Sequence, residues 1–196
     1  WSQGDGAKGR FRRLSFNPGG LVGVWAQENT RESIFDALHS REVFSTSGPR
    51  ISLRVFADAK KTGRCGSPKV PSAGAVMGGT LPSDIQSVYF TVIAQSDQTP
   101  LQSVELVKSQ TDENVTTQVL TLAEDDDGRD YWCFEWEDSD FNPSQSAYWY
   151  VRVEEMPTPR WSKVDCLKSG LCRDYPEANK DIQERAWSSP IWYYPE

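Results

Sequence analysis

The spacing of apolar residues changes once along the chain, near residue 57, and this change constrains the fold more than any other feature. Before it, helical and strand spacing alternate, which is typical of α/β structure. After it, short β-type runs are separated by turn-rich segments at the spacing of a β-sandwich. We therefore expect an α+β chain that is mostly β and ends in an antiparallel β-sandwich-like region.

The first part predicts one helix among short strands. Asn29 is the expected N-cap, Glu32 closes a capping box, and the helix ends near Ser40. The expected strands cover residues 21–26, 42–46 and 50–56.

The second part predicts strands alone, because the helical spacing disappears after residue 57. The expected strands cover residues 87–94, 104–108, 115–122, 131–136 and 147–154, with an edge strand over 189–194. The Gly/Ser/Pro/Lys-rich stretch inside 57–75 predicts a linker, so we expect the divisions 1–56, 57–75 and 76–196. Residues 1–56 carry a net charge of +3 and the remainder −10.

The chain has a single histidine, His39. One histidine excludes an internal site that needs two or more His ligands, and it leaves a Ser/His/Asp triad only one base. The Gly-x-Ser-x-Gly elbow of such hydrolases is missing. His39 falls at the end of the predicted helix, where the helix dipole favours a cation, so we interpret it as structural.

Four cysteines, Cys65, Cys133, Cys166 and Cys172, favour disulfides over free thiols or zinc. Zinc sites pair their thiolates typically about two to four residues apart. Five residues separate the closest pair here, with no second pair or histidine beside it. Bridges 166–172 and 65–133 are one solution, and the pairing stays open. Disulfides predict an oxidising compartment, the periplasm or the cell exterior.

Charge and length exclude several classes of function. A net charge of −7 repels phosphates, so we expect no nucleic-acid partner. No apolar run approaches the roughly 18 residues of a membrane span. Gly19-Gly20 lacks the surrounding pattern of a phosphate-binding loop, and Phe11, Arg12 and Arg13 read as a solvated basic loop.

The acidic run over residues 124–130 suggests calcium at first sight. If Gly128 takes the sixth position of an EF-hand loop, Ala123 and Phe134 fall at positions that must ligate, and neither can. We therefore interpret the run as a solvated hairpin tip.

Short motifs through nearly the whole chain, in constant order, resemble the domain-of-unknown-function 3604 family. The matching blocks are 17–26 (NPGGLVGVWA), 28–32 (ENTRE), 34–38 (IFDAL), 46–51 (TSGPRI), 65–68 (CGSP), 77–79 (MGG), 131–133 (YWC), 150–153 (YVRV), 159–162 (PRWS) and 182–192 (IQERAWSSPIW). Relatives often carry another cysteine near residues 157–159, and its absence here keeps the disulfide pairing open.

The resemblance implies a PHP-like, amidohydrolase-like metal hydrolase. Such proteins bind divalent metals (zinc, manganese or iron) at the strand ends of a distorted α/β barrel, and the metals activate water against an ester or phosphoester. The metal ligands would lie upstream of Trp1. The chain would then be the C-terminal part, with residues 1–56 ending the barrel.

The resemblance also implies limits for this chain. It would bind no catalytic metal alone, be inactive alone, and have as its partner the N-terminal remainder of the same protein, with an oligomer left open. Asn17 and Arg50 are the candidates for substrate-side contributors, Arg50 because its planar fork suits an anionic group. The localisation implied is periplasmic or secreted.

The alternative function is a non-catalytic β-sandwich binding module for carbohydrate or protein. The chain contains 8 Trp, 7 Tyr and 8 Phe, and exposed aromatic rings stack on sugars. This hypothesis predicts roughly coplanar Trp and Tyr side chains on one sheet face. Aromatic residues that alternate along a strand are also typical of a buried core, where the rings pack together and bind no ligand.

Overall fold

A computed structural model describes residues 19–63, 65, 74–111 and 116–196. Strands account for 47% of the chain and helices for 13%, which confirms a mostly β protein. The strands are β1 (Leu21–Val24), β2 (Val43–Thr46), β3 (Ser52–Asp58), β4 (Ala75–Val76), β5 (Tyr89–Gln95), β6 (Leu101–Thr111), β7 (Thr116–Arg129), β8 (Tyr131–Glu137), β9 (Ser146–Glu155), β10 (Thr158–Pro159), β11 (Asp181–Ile182), β12 (Arg185–Ser188) and β13 (Ile191–Tyr193). The helices are α1 (Arg31–His39), α2 (Trp161–Ser169) and a 3₁₀ turn (Pro176–Ala178).

Two antiparallel sheets build the body of the protein. The larger has the order β1-β2-β12-β9-β6-β7, and β13 follows β12 along the same edge of β9. The smaller has the order β4-β3-β5-β8, and β10 and β11 form a separate pair. Among the described residues neither sheet closes into a barrel.

One apolar core lies between the two sheets. β9 shows how the sequence builds it, since its residues alternate strictly between partly exposed and buried, as a strand with one face inward requires. Trp149 of β9 is fully buried and its ring lies 5.5 Å from that of Phe90 on β5. The inward faces of both sheets therefore interlock.

The strands on either side of residue 57 share these sheets. β2 pairs with β12, and β3 pairs with β5 over seven residues. β1 and β2 pair antiparallel, whereas the strands of an α/β barrel run parallel. The end of a barrel over 1–56 and the domain divisions stay predictions.

Helix α1 is confirmed, with a different cap from the predicted one. Thr30, not Asn29, is the N-cap, and its hydroxyl accepts a hydrogen bond from the backbone N–H of Ser33. Neighbouring Asn and Thr are both good caps, and the first apolar position alone does not decide between them. Ser40 closes the helix as expected.

Helix α2 was not expected, because its burial pattern does not follow hydrophobicity. Its buried residues are Ser162 and Cys166, whereas Val164 and Leu167 face solvent. The Ser162 hydroxyl donates to the carbonyl of Ala178 at 2.9 Å, and Cys166 is bridged to Cys172. A polar bond and a disulfide hold the helix, so its buried positions do not coincide with its apolar residues Trp161, Val164 and Leu167.

Two further strand predictions need correction. The acidic run lies within β7 and bulges out from its pairing with β6, and only Asp130 separates β7 from β8. It is a strand bulge and not a hairpin tip. β13 is a strand, but it is not an edge, because Thr80 forms a parallel bridge with Trp192 on the side away from β9.

All four cysteines form disulfides, as the spacing favoured. Cys65 bridges to Cys133 with Cα atoms 5.5 Å apart, and Cys166 bridges to Cys172 with Cα atoms 4.8 Å apart. Two such bridges are typical of an oxidising compartment. No described helix has the length and apolarity needed to cross a membrane.

A tight contact joins the end of α1 to the C-terminal strand. Arg41 adopts a left-handed backbone (φ 62°), its Nε donates to the carbonyl of Gly78, and its guanidinium lies 4.9 Å from the centre of the Trp192 ring. Gly78 has φ 91°, and a Cβ there would collide with the carbonyl of Arg41. Glycine is therefore required at position 78 for two reasons: the backbone adopts a positive φ, and there is no room for a Cβ atom.

We expect Gly78→Ala to destabilise the protein by roughly 3 kcal/mol, because strain at positive φ adds to a backbone collision. Gly170→Ala is the matched control, since Gly170 has φ 70° but nothing within 4 Å of its Cβ position. It should cost only about 1 kcal/mol. Urea denaturation of both variants measures the difference, and equal losses would show that the Arg41–Gly78 contact is not tight.

Candidate functional site

A pocket of about 640 Å³ opens between the β1–α1 loop, helix α1 and strand β3. Antiparallel pairing places β1 against β2, and Trp25, directly after β1, reaches across to β3, where its Nε1 donates to the carbonyl of Leu53 at 2.9 Å. This bond fixes the indole as one wall of the pocket.

Arg54 is the only cationic side chain among the lining residues that the structure describes. Its guanidinium lies 4.8 Å from the centre of the Trp25 ring and 5.1 Å from that of Phe56. Burial lowers the pKa of this guanidinium, and the Glu42 carboxylate partly opposes the shift. Within the described chain the Arg54 guanidinium makes no hydrogen bond or ion pair. Its contacts are with aromatic rings, so its N–H groups stay available to donate to a ligand.

Four carboxylates line the same pocket: Glu28, Glu32, Asp36 and Glu42. They are all the acidic residues between positions 19 and 56, so the acidic residues of this segment, which also carries four arginines, all line one pocket. None of the four carboxylates has a side-chain hydrogen bond or ion pair to another described residue. The pocket therefore combines four carboxylates and one guanidinium that make no side-chain hydrogen bond in the described chain, with Glu42 the carboxylate that acts electrostatically on Arg54.

Ion pairs form elsewhere in the described chain, although many exposed charged side chains there have none. Carboxylates and basic side chains approach within ion-pair distance at Lys108–Asp138, Arg129–Asp125, Arg152–Glu105, Arg185–Glu154 and Lys163–Asp181. The pocket instead places one guanidinium and four carboxylates around a single cavity without a side-chain hydrogen bond or ion pair among them. Such groups are the ones that a bound ligand would satisfy.

Of the site residues expected from the sequence, Arg50 is described and does not line this pocket. Asn17, Phe11, Arg12 and Arg13 lie outside the described residues. Arg50 is exposed before β3, and its backbone N–H donates to the Asp97 carboxylate at 2.9 Å. Its role at the substrate stays a prediction.

His39 lies at the end of α1, where the sequence placed it, and its ring is stacked 6.1 Å from that of Phe35. Its structural role stays a prediction.

Arg54 is not among the site residues expected from the sequence. The alternation in β3 does put Leu53 and Val55 inward and Arg54 outward. The signal that marks Arg54 is its contact with Trp25, 29 positions earlier, which no local pattern contains.

The residues described here do not fit a catalytic metal. No group of three or more His, Cys, Asp or Glu side chains among them could hold a metal ion. The four pocket carboxylates are thus too dispersed to form a metal centre, and we derive no step through a metal in this chain.

A second cleft, of about 520 Å³, lies where edge strands β7 and β8 approach each other. Trp132 and Phe134 line it with rings 6.1 Å apart and nearly perpendicular (83°), and Arg129 lies 5.0 Å from the centre of the Trp132 ring. These rings are not the coplanar platform that the carbohydrate hypothesis predicts. The binding-module hypothesis stays a prediction.

Four large apolar side chains of the β1–α1 unit face solvent. Leu21 and Val22 on β1 are 42% and 65% exposed, and Phe35 and Leu38 on α1 are 64% and 48% exposed. Among the described strands β1 is also at the edge of the larger sheet, and an edge strand presents backbone groups that can pair with another strand. Apolar exposure concentrated on one short unit is typical of an interaction surface.

A buried carboxyl group lies at the last inward position of β9. Glu155 is 3% exposed and its Oε1 has no hydrogen-bond partner. Burial, together with the nearby Glu184 and Asp97 carboxylates, raises the pKa of Glu155 from 4.5 to about 7. In the unfolded chain the same group titrates near its usual value, so the folded state holds the proton more tightly.

We expect the unfolding free energy to fall as pH rises from about 4.5 to about 7 because of Glu155. Glu155→Gln should remove this slope and stabilise the protein at pH 8 by on the order of 2 kcal/mol. Glu124→Gln, at an exposed position of β7, is the control and should change neither. Urea melts from pH 4 to 8 measure both, and an unchanged slope in Glu155→Gln would contradict the assignment.

Comparison with known proteins gives one match. The family described as "Protein of unknown function (DUF3604)" matches residues 2–132 and 120–195. The chain therefore belongs to this family. No curated protein and no solved structure is significantly similar to it.

Proposed function

We propose that this member of the DUF3604 family is the C-terminal part of a metal-dependent hydrolase and acts as its non-catalytic docking module. Because the described residues do not fit a metal site, zinc, manganese or iron would be held by the remainder of the protein. The substrate would be an ester or a phosphoester, and the protein would work in the periplasm or outside the cell.

The observation that carries the proposal is the exposed apolar side of the β1–α1 unit. Its inner side is already buried, with Ala37 of α1 only 6% exposed and Trp25 bonded to β3. The exposed side chains of Val22 on β1 and of Phe35 and Leu38 on α1, here called the outer side, have no cover among the described residues. A catalytic portion packed there would bury these side chains, each worth about 1.5–3 kcal/mol.

Docking also brings the pocket towards the partner. α1 contributes Glu32 and Asp36 to the pocket wall, and the same helix contributes Phe35 and Leu38 to the outer side. A catalytic portion on the outer side would therefore have the Arg54 pocket as a neighbour. Arg54 is then the better candidate than Arg50 for contact with an anionic substrate group.

We expect Val22→Ser and Phe35→Ser in the longer protein to lower metal-dependent hydrolysis of nitrophenyl esters or phosphoesters by about tenfold or more, through weaker docking. Leu167→Ser is the control, because Leu167 is similarly exposed (60%) but lies on α2. The isolated chain should show no turnover that a chelator abolishes.

The outcomes separate the alternatives. Full activity in both β1–α1 variants would contradict the docking role. Chelator-sensitive turnover by the isolated chain would show that this chain is itself catalytic. Circular dichroism of each variant confirms that the sheets remain folded, which is expected since all three substituted side chains face solvent.

A further inference from the structure

We infer that the Trp25–Arg54 pocket binds a small zwitterion that carries a carboxylate and ammonium groups, with a basic amino acid as the best-matched class. This inference goes beyond the proposed docking role and does not depend on it. It rests on the unpaired charges of the pocket and on their balance.

The guanidinium defines one end of the ligand. The Arg54 guanidinium lies over the rings of Trp25 and Phe56, and these contacts favour its placement at the pocket before any ligand arrives. A stacked, half-buried guanidinium without a hydrogen-bond partner in the described chain is matched by a planar anion with two acceptor oxygens. A carboxylate satisfies this requirement.

The carboxylates define the other end. Glu28, Glu32 and Asp36 lie on the β1–α1 loop and the first turns of α1, and Glu42 follows the helix. Their oxygens accept hydrogen bonds and carry negative charge. Ammonium groups supply both donors and the opposite charge.

The charge balance selects among ligands with these features. Four carboxylates and one guanidinium give the pocket a net charge of −3. A sugar acid has the carboxylate and many hydroxyl donors, but it adds a further negative charge. A diamine suits the carboxylates but leaves Arg54 unmatched. A basic amino acid carries one carboxylate and two cationic groups, so it satisfies both ends.

The pocket has room for such a molecule. Its volume of about 640 Å³ lies within the range of small-molecule sites, about 300–1,000 Å³. The hydroxyl oxygens of Thr30 and Ser33 accept hydrogen bonds from the backbone N–H groups of Ser33 and Glu28, which leaves their O–H groups to donate to a ligand.

The test is isothermal titration calorimetry of the 196-residue chain with L-lysine, cadaverine and glucuronate. Cadaverine is lysine without its carboxylate, and glucuronate is a sugar acid. We expect L-lysine to bind about tenfold or more tightly than cadaverine, and glucuronate to bind least. Higher salt should weaken lysine binding.

Variants assign the binding to the pocket. Arg54→Gln should abolish the preference for lysine over cadaverine, and Glu32→Gln with Asp36→Asn should weaken both ligands. Arg129→Gln is the matched control, because Arg129 also lies over a tryptophan but in the other cleft. It should leave lysine binding unchanged.

Three results would contradict the proposed lysine binding at this pocket. No heat of binding with lysine at millimolar concentration would overturn it, as would tighter binding of glucuronate. An unchanged lysine-to-cadaverine ratio in folded Arg54→Gln would remove Arg54 from the site. Because the assay measures no hydrolysis, its outcome is independent of the proposed enzymatic role.

Discussion

A buried ion pair between the two sheets fixes the arrangement on which the rest of the structure depends. Lys108 of β6 donates to Asp138, directly after β8, at 2.8 Å, and both side chains are at most 3% exposed. Trp149 of β9 donates to the same carboxylate at 2.9 Å. Removing one partner of such a pair leaves a buried charge, at a cost of about 3–5 kcal/mol.

This network sets one register for the sandwich. β6 and β9 belong to the larger sheet and β8 to the smaller one, so a shift of either sheet would break bonds to Asp138. Phe90 and Phe141 then pack against the Trp149 ring at 5.5 and 5.8 Å. The apolar core supplies the stability, and the polar network selects one geometry from the many that apolar packing allows.

The position of the candidate pocket depends on this arrangement of the two sheets. β12 pairs with β9 on one side and β2 on the other, so the β1–α1 unit is an extension of the central sheet. Trp25 is then anchored on β3 of the second sheet. The Arg54 guanidinium therefore contacts Trp25 from the β1–α1 unit and Phe56 from β3, and these ring contacts place it at the pocket without an ion pair.

Local patterns predicted what local physics determines. The alternation in β9 predicts its strand because that strand buries one regular face. The spacing in α1 predicts its helix, although Phe35 and Leu38 face solvent and only Ala37 is buried. Helix α2 was missed because its anchors are Ser162 and Cys166. Arg54 was missed as a site residue because only the pairing of the sheets brings Trp25 next to it. A partner for Phe35 likewise cannot be identified from strand or helix patterns.

The docking role is tested most directly by hydroxyl-radical footprinting of the isolated chain and of the longer protein. This measures side-chain exposure at Val22, Phe35 and Leu38, with Leu167 as the internal reference. The account predicts that oxidation of the three β1–α1 side chains falls several-fold in the longer protein while that of Leu167 stays constant. Equal oxidation of Phe35 in both forms would contradict it.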